Sequence, residues 1–154
     1  MSKEEVIGEI ARELRQLQQS FDAFDEAAAA HLGLNRTDLR CLDIVLSTGP
    51  LSAGQLSAAL RLSPAATTTV VDRLIRAEMV TRTEDSENRR RKLIDGTAKA
   101  RNAAAAIFEP VGVAGRTALA RFDHGALQAA LEFLRTTRDV QEKQIERLSQ
   151  LGAD

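Results

Sequence analysis

The sequence contains no tryptophan and no tyrosine, and five phenylalanines are the only aromatic residues among its 154. A single cysteine, Cys41, excludes an internal disulfide, and the chain lacks the CxxC motif or cysteine–histidine cluster that holds a structural metal. Its apolar runs are too short to cross a membrane, and its acidic amino terminus does not resemble a signal peptide. We therefore expect a metal-free, cytoplasmic protein in which helices dominate.

Groups that could carry out catalysis are equally scarce. The two histidines, His31 and His124, lie far apart in the sequence, and no glycine-rich phosphate loop follows a predicted strand. The sequence therefore predicts no catalytic residues, no cofactor and no enzymatic activity.

Two helix starts lie close together in the middle of the chain. Ser52 can cap a helix, with Gln55 reaching back to the Ser52 amide in a capping box. Ser63 can cap a second helix whose first residue is Pro64, a position where the missing N–H costs nothing. This layout predicts a helix-turn-helix, whose second helix is the one that enters a DNA major groove.

The second helix, about residues 64–77, divides into two faces by its spacing. The side chains expected to face the core are Thr67, Val70, Val71, Leu74, Ile75 and Ala77. Those expected to point outward are Ala65, Thr68, Thr69, Asp72, Arg73 and Arg76. Small outward residues near the amino end would let the backbone approach base edges, although an ordinary solvated helix face has a similar composition.

A hairpin follows, with a β-branched run at 79–83, a polar turn at 84–88 and four cations at 89–92. A basic run is usually a solvated surface, but beside a groove-reading helix it can contact phosphates or the minor groove. Residues 61–92 hold eight Lys/Arg against five Asp/Glu, whereas residues 1–35 hold three against seven. Positive charge is therefore concentrated around the predicted hairpin.

Long helices are predicted on both sides of this region. Apolar residues recur at steps of three and four along the first thirty positions, at Ile7, Ile10, Leu14, Leu17, Phe21, Phe24 and Ala28. A stripe at the same spacing follows a cap at Asp123, and its middle two members are polar: Leu127, Leu131, Leu134, Arg138, Gln141, Ile145 and Leu148. Between them Thr97 can cap another helix, which Pro110, Gly112 and Gly115 are expected to kink or interrupt.

These elements predict a mainly α fold with a small β-hairpin wing, in three parts. Residues 1–34 form an amino-terminal dimerisation helix, residues 35–96 a winged helix-turn-helix DNA-binding domain, and residues 97–154 carboxy-terminal dimerisation helices. We expect the flanking helices to intertwine with those of a second copy, since two-fold dimers are the commonest assembly. The alternative is that they fold back on their own domain.

Residues 34–110 resemble the MarR family of bacterial transcription regulators. The resemblance is carried by Leu62-Ser63, by Val71-Asp72-Arg73-Leu74, by Arg76-Ala77 with Met79-Val80 after it, and by Asp85 followed by Arg89-Arg90. It implies a homodimer on double-stranded DNA, most simply a repressor. Recognition helices about 34 Å apart would then read half-sites about 10 bp apart in an imperfect palindrome.

The sequence departs from the family pattern at three places. Glu78 replaces the usual glycine after the recognition helix, and a left-handed conformation there would cost about 1 kcal/mol. Ser86 and Asn88 replace the usual proline and aspartate of the wing, which leaves Asp72 as the carboxylate expected to hold Arg89 or Arg90. Residues 95–97 replace the usual strand end, so we expect the wing to finish early.

The candidate DNA contacts fall into two groups by expected role. Capping serines and wing arginines would supply affinity through phosphates and the minor groove, while small recognition-helix residues and Arg73 would select bases. The full set is Ser52, Ser63, Pro64, Ala65, Thr68, Thr69, Arg73, Arg89, Arg90 and Arg91. The competing interpretation is a winged helix that binds a protein partner without binding DNA.

Regulation by a small molecule is implied only by the resemblance, since family members often bind anionic or phenolic effectors. His31 and Arg40 are the candidate contacts here, although a lone histidine in such a position is more often packing or surface. Cys41 is expected among apolar residues of the second helix, and one MarR subgroup senses peroxide through a cysteine in its first helix beside tyrosines. We therefore expect Cys41 to be a small buried hydrophobic residue.

Overall fold

The computed structural model describes residues 1–152, which form six helices and three short strands. The elements are α1 (Lys3–Leu32), α2 (Arg36–Thr48), β1 (Leu51–Ser52), α3 (Ala53–Leu60), α4 (Pro64–Arg76), β2 (Val80–Glu84), β3 (Lys92–Gly96), α5 (Ala98–Leu119) and α6 (His124–Leu151). The predicted fold class, mainly α with a small β wing, is confirmed. None of the helices within residues 1–152 is long and apolar enough to cross a bilayer.

The chain divides into two compact units, Met1–Ile107 and the residues from Phe108 onward. The first unit contains α1 to α4, the sheet and the first half of α5, and the second contains the rest of α5 and α6. The expected functional division at residues 34 and 96 is a different one, and it stays a prediction.

The predicted helix caps are confirmed. Ser52 Oγ accepts a hydrogen bond from the Gln55 amide at 3.2 Å, and Gln55 Oε1 accepts one from the Ser52 amide at 3.0 Å. Ser63 Oγ accepts from the Ala66 amide at 3.2 Å, and Asp123 Oδ1 accepts from the Ala126 amide at 2.8 Å. Each cap satisfies an amide at the helix start that has no partner inside the helix.

Helix α5 begins as predicted but does not break where expected. Thr97 Oγ1 accepts a hydrogen bond from the Ala100 amide at 3.0 Å. The helix then continues through Pro110 to Leu119, so an interruption is excluded and a kink stays a prediction. Proline removes one hydrogen bond of the ladder, and the alanine-rich turns that precede it are strong helix formers.

The wing is part of a three-stranded antiparallel sheet with strand order β1-β3-β2. The hairpin register pairs Val80 with Gly96 and Glu84 with Lys92. Strand β1 pairs Leu51 with Ile94 on the other edge of β3, and no sequence pattern predicted it because it is only two residues long.

The expectation that the wing ends early is also wrong, because β3 continues to Gly96. A Cβ atom built on Gly96 would lie 2.3 Å from Leu46 Cδ2 of α2, which is far inside van der Waals contact. The strand therefore passes close to the tip of the Leu46 side chain, and a residue with a Cβ atom at this position would require that side chain to move.

The core of the first unit lies between α2, α3, α4 and the sheet. Its largest fully buried side chains are Leu42, Val45, Leu56, Leu60, Val71, Leu74, Val80 and Ile94. The inner face of α4 is largely as predicted, with Thr67, Val70, Val71 and Leu74 buried. Thr67 Oγ1 also accepts a hydrogen bond from Ser57 Oγ at 2.9 Å, which joins α4 to α3 inside the core.

Cys41 is fully buried in α2, as expected. Burial, with a smaller contribution from the negative charge of Asp38, raises the pKa of its thiol from 9.0 to about 11. Because the thiolate is the reactive form, this environment is the opposite of the one that activates a redox-sensing cysteine.

Glu78 ends helix α4 in the left-handed conformation expected from the family pattern, with φ 59°. The amide of Glu78 donates to the Ile75 carbonyl and that of Met79 to the Leu74 carbonyl, both at 2.9 Å. These two bonds form the helix ending that glycine usually supplies, here closed by a residue that carries a Cβ atom.

We predict that Glu78→Gly raises the free energy of unfolding by roughly 0.5–1 kcal/mol, because glycine adopts this conformation without a Cβ clash. Urea denaturation of both proteins measures the difference. The matched control is Glu78→Ala, which removes the exposed ion pair with Lys99 but keeps the Cβ atom, and it should change stability by less than about 0.5 kcal/mol. Equal effects of the two substitutions would contradict the backbone explanation.

We predict that the stability of the wild type falls relative to Cys41→Ala as the pH rises from about 9 to about 11. The unfolded thiol ionises near its ordinary value, whereas the folded thiol stays protonated to higher pH, so ionisation favours the unfolded chain over this interval. Denaturant titrations of both proteins at pH 8 and pH 10.5 measure this, and parallel pH dependences would contradict burial of the thiol.

Candidate nucleic-acid interface

Helix α4 presents small and hydroxyl side chains to solvent along its first two turns. Pro64, Ala65, Thr68 and Thr69 are exposed, and the preceding Ser63 uses its hydroxyl as the helix cap. Helices α3 and α4 meet at a tight turn in which Arg61 has φ 54°. The capping bond of Ser52 likewise fixes the start of α3, so both predicted serines are ordered at helix amino termini.

The threonine hydroxyls of this face are already engaged as donors. Thr68 Oγ1 donates to the Pro64 carbonyl at 3.0 Å, and Thr69 Oγ1 donates to the Ala65 carbonyl at 3.1 Å. In this rotamer the two threonine side chains expose their hydroxyl oxygen lone pairs, which accept hydrogen bonds, and their methyl groups. Such a surface suits the amino groups of adenine or cytosine and the thymine methyl better than a phosphate, which only accepts hydrogen bonds.

The wing separates its cations into free and paired ones. In the part of the chain that the structure describes, the exposed side chains of Arg89 and Arg90 form no ion pair or hydrogen bond. Arg91 is engaged, with Nε 3.4 Å from Asp85 Oδ2 and Nη2 3.4 Å from Gln55 Oε1. Lys92 Nζ lies 3.0 Å from Glu84 Oε1. Two of the four consecutive cations are therefore available to an external anion.

The expected pairing of Asp72 with Arg89 or Arg90 is wrong. Asp72 Oδ1 lies 2.9 Å from Arg82 Nη2, so the carboxylate joins the recognition helix to strand β2 at the base of the wing. Arg82 points to this carboxylate because β2 runs directly from the end of α4, whereas Arg89 and Arg90 lie beyond the strand in the connecting turn.

Arg73, which was expected to point outward, has a side chain that is 38% exposed and is also paired with a buried carboxylate that the sequence analysis did not identify. Its Nε donates to both carboxylate oxygens of Asp38, at 3.2 and 3.0 Å, and its Nη2 donates to Asp38 Oδ1 at 2.7 Å. These hydrogen bonds and the negative charge of Asp38 raise the pKa of Arg73. Whether Arg73 contacts DNA stays a prediction.

Asp38 is the residue of this region that sequence reasoning missed. It is buried on α2 beside Leu39, Cys41 and Leu42, where an acidic side chain needs a partner. An aspartate within an otherwise apolar helix face is a signal that was present in the sequence. Its partner could not be read from the sequence, since Arg73 lies 35 positions away.

The candidate effector contacts are both exposed residues of the first unit. His31 lies in the last turn of α1, and Arg40 Nη2 donates to the Ala59 carbonyl of α3 at 3.4 Å. Residues 1–152 contain no cluster of three or more His, Cys, Asp or Glu side chains that could hold a metal ion. An effector site at His31 and Arg40 stays a prediction.

The apolar stripes of the long helices are largely open to solvent. On α1 and α6 the exposed members include Phe21, which is 61% exposed, and Leu148, which is 58% exposed. The others at least one-third exposed are Ile7, Ile10, Leu17, Phe24, Leu131, Leu134 and Ile145. Leu14 and Leu127 are half-buried.

Comparison with solved structures shows the fold. The chain is similar to a MarR family protein from Bacillus stearothermophilus, with a TM-score of 0.70 and 20% identity over 92% of this chain and 99% of that one. It is also similar to a transcriptional regulator from Thermotoga maritima, with a TM-score of 0.62 and 20% identity over 90% of this chain and 98% of that one.

Comparison of sequences shows the family. The model of the MarR family matches residues 34–92, which contain the helix-turn-helix and most of the wing. The chain is also 33% identical over 127 residues to an uncharacterized HTH-type transcriptional regulator of Bacillus subtilis strain 168, YcgE, with 82% of each chain covered. This chain therefore belongs to the MarR family and is a DNA-binding transcription regulator, not an enzyme.

Proposed function

We propose that this regulator binds a palindromic operator as a homodimer and represses transcription from it. The observation that carries the proposal is the pair of unpaired arginines, Arg89 and Arg90, on a wing joined to the recognition helix by the Asp72–Arg82 ion pair. In a DNA interface some groups read bases and others contact the phosphate backbone. The small exposed residues of the recognition helix suit the first task, and the free guanidinium groups suit the second.

The recognition helix supplies the base contacts in this proposal. Thr68 and Thr69 offer acceptor oxygens and methyl groups, and Ala65 permits close approach to the groove floor. Ser52 and Ser63 place the amino ends of α3 and α4 toward phosphates, where backbone amides favour anions. Arg89 and Arg90 add phosphate or minor-groove contacts.

The dimer is proposed from the apolar residues that α1 and α6 leave in water. Large side chains such as Phe21 and Leu148 are more than half exposed, and they recur along helices of 30 and 28 residues. Contiguous apolar stripes of this kind mark an interface, and a second copy of the same chain is the simplest occupant. Residues 1–34 and 97–154 would then form the dimerisation base and residues 35–96 the DNA-reading part.

A two-fold arrangement sets the spacing of the operator. Two recognition helices would enter successive major grooves on one side of the duplex, about 34 Å or 10 bp apart. Binding across a promoter in this way would exclude polymerase, which is why repression is proposed. Sequencing the genomic fragments that the purified protein retains tests this, because retained fragments without inverted repeats, or lying away from promoters, would contradict it.

We also propose that the regulator works in the cytoplasm, and that a small anionic or phenolic effector releases it from DNA there. An effector can dissociate the complex only if it binds the DNA-free conformation more tightly than the bound one. The same retention experiment in the presence of simple phenolic acids should lower the yield of operator fragments, and His31→Ala with Arg40→Ala should remove that response while leaving retention intact.

We predict that Arg90→Ala weakens binding to all DNA sequences and flattens the plot of log K against log salt by about one unit, because one phosphate contact is lost. Fluorescence-anisotropy titrations between about 50 and 200 mM salt measure the slope. Over this range the affinity for DNA is expected to change by about tenfold or more. The matched control is Lys92→Ala, since Lys92 is already paired with Glu84 and should change the slope by clearly less. Identical slopes for Arg90→Ala and wild type would remove the proposed role of Arg90.

We predict that Thr69→Val changes the preference among operators by about fivefold, the worth of one hydrogen bond, while preserving side-chain shape. Competition binding against duplexes with single base changes measures the preference. Thr81→Val, at an exposed threonine of strand β2, is the control and should leave the order of preference unchanged. If the order of preference among duplexes is the same in Thr69→Val as in the wild type, Thr69 does not select bases.

A further inference from the structure

We propose that Asp38 is a positioning residue for DNA recognition, which holds the Arg73 guanidinium in one orientation and withdraws its charge from general phosphate binding. This inference rests on the proposed function, since it concerns how the recognition helix distinguishes an operator from other DNA. Asp38 itself belongs to α2 and not to the helix-turn-helix, so nothing in the recognition motif identifies it.

The geometry of the pair supports a fixed orientation. Three hydrogen bonds join Arg73 to the carboxylate, at 2.7, 3.0 and 3.2 Å, and they use Nε and Nη2 of the guanidinium. The Asp38 side chain is only 5% exposed, whereas that of Arg73 is 38% exposed. Because the guanidinium is planar and donates in a fixed fork, binding along one edge sets the plane of the whole group.

The pair leaves one part of Arg73 outside the contact with Asp38. Nη1 takes part in none of its three hydrogen bonds, and the side chain retains exposure on the helix that bears Thr68 and Thr69. A donor whose orientation is set before binding loses less conformational entropy when it meets a base or phosphate oxygen. Arg73 therefore offers a fixed donor with its charge largely offset by the carboxylate.

The charge balance distinguishes Arg73 from the free arginines of the wing. Arg89 and Arg90 have no carboxylate partner within residues 1–152, so each can displace a counterion from any phosphate. Arg73 is neutralised by a buried partner and would contribute little to such sequence-independent binding. Asp38 thus favours specificity over affinity at this position.

The rigid attachment of Asp38 makes it suitable for this role. The Asp38 amide donates to Asn35 Oδ1 at 2.8 Å, which places the residue in the capped first turn of α2. Helix α2 contributes Leu42 and Val45 to the core that also holds Val71 and Leu74 of the recognition helix. The carboxylate is therefore fixed relative to the helix that it orients.

The test compares a duplex selected by the wild type from a random pool with a scrambled duplex of the same composition. For Asp38→Asn, which keeps the side-chain shape, we expect the ratio of the two affinities to fall about fivefold or more. We also expect the salt dependence on the scrambled duplex to become steeper by about one unit, because the Arg73 charge becomes available to a phosphate. A purely structural role would lower the melting temperature and leave both quantities unchanged.

Three further variants test the same inference. Arg73→Gln should lower the specificity ratio without steepening the salt dependence, because no charge is released. In the double variant with Asp38→Asn, the loss of specificity should not exceed that of Arg73→Gln alone, since both changes remove the same oriented donor. Arg73→Lys keeps the charge but not the fork, and it should also lower the ratio.

The outcomes separate this inference from the proposed function. If the wild type does not prefer any selected duplex over the scrambled one, operator recognition itself fails. If the wild type discriminates and Asp38→Asn stays within twofold of its ratio and slope, the positioning role of Asp38 is overturned. Should Asp38→Asn be too unstable to titrate, Arg73→Lys decides, and a ratio within twofold of the wild type overturns the proposal.

Discussion

The placement of helix α4 is the constraint on which the rest of the interface depends. Its apolar face is buried through Val70, Val71 and Leu74, and adjacent charged residues fix it on two sides. Arg73 is bonded to Asp38 of α2, while Asp72 is paired with Arg82 of the wing. Burial sets the depth and rotation of the helix, and the two ion pairs orient it toward both of its neighbours.

Ion pairing also decides which cations remain for DNA. Composition alone suggests a continuous basic patch at residues 89–92, but Arg91 and Lys92 are occupied by carboxylates of the wing and Arg73 by a buried one. The wing cations that stay available, Arg89 and Arg90, lie in the turn between β2 and β3. This arrangement separates charge that binds any phosphate from donors and methyl groups that discriminate bases.

Much of the local structure was predictable from short-range patterns. The caps at Ser52, Ser63 and Asp123, the inner face of α4, and the left-handed ending at Glu78 all follow from residues within one or two turns of each other. Apart from the helix that continues through Pro110, the errors arise from contacts between separate elements. Strand β3 extends to Gly96, where it pairs with Val80 of β2, and the two-residue strand β1 exists only because it pairs with β3.

The sequence by itself determined the helix starts at Ser52, Ser63 and Asp123 and the presence of the hairpin, because capping and periodicity act between residues a few positions apart. Only the tertiary structure decided the partners of the charged groups. Arg73 meets a carboxylate 35 positions away, and Arg91 meets Gln55 from 36 positions away. Such pairs form when packing brings distant helices and strands together, and a side chain's charge does not specify which opposite charge will be within reach.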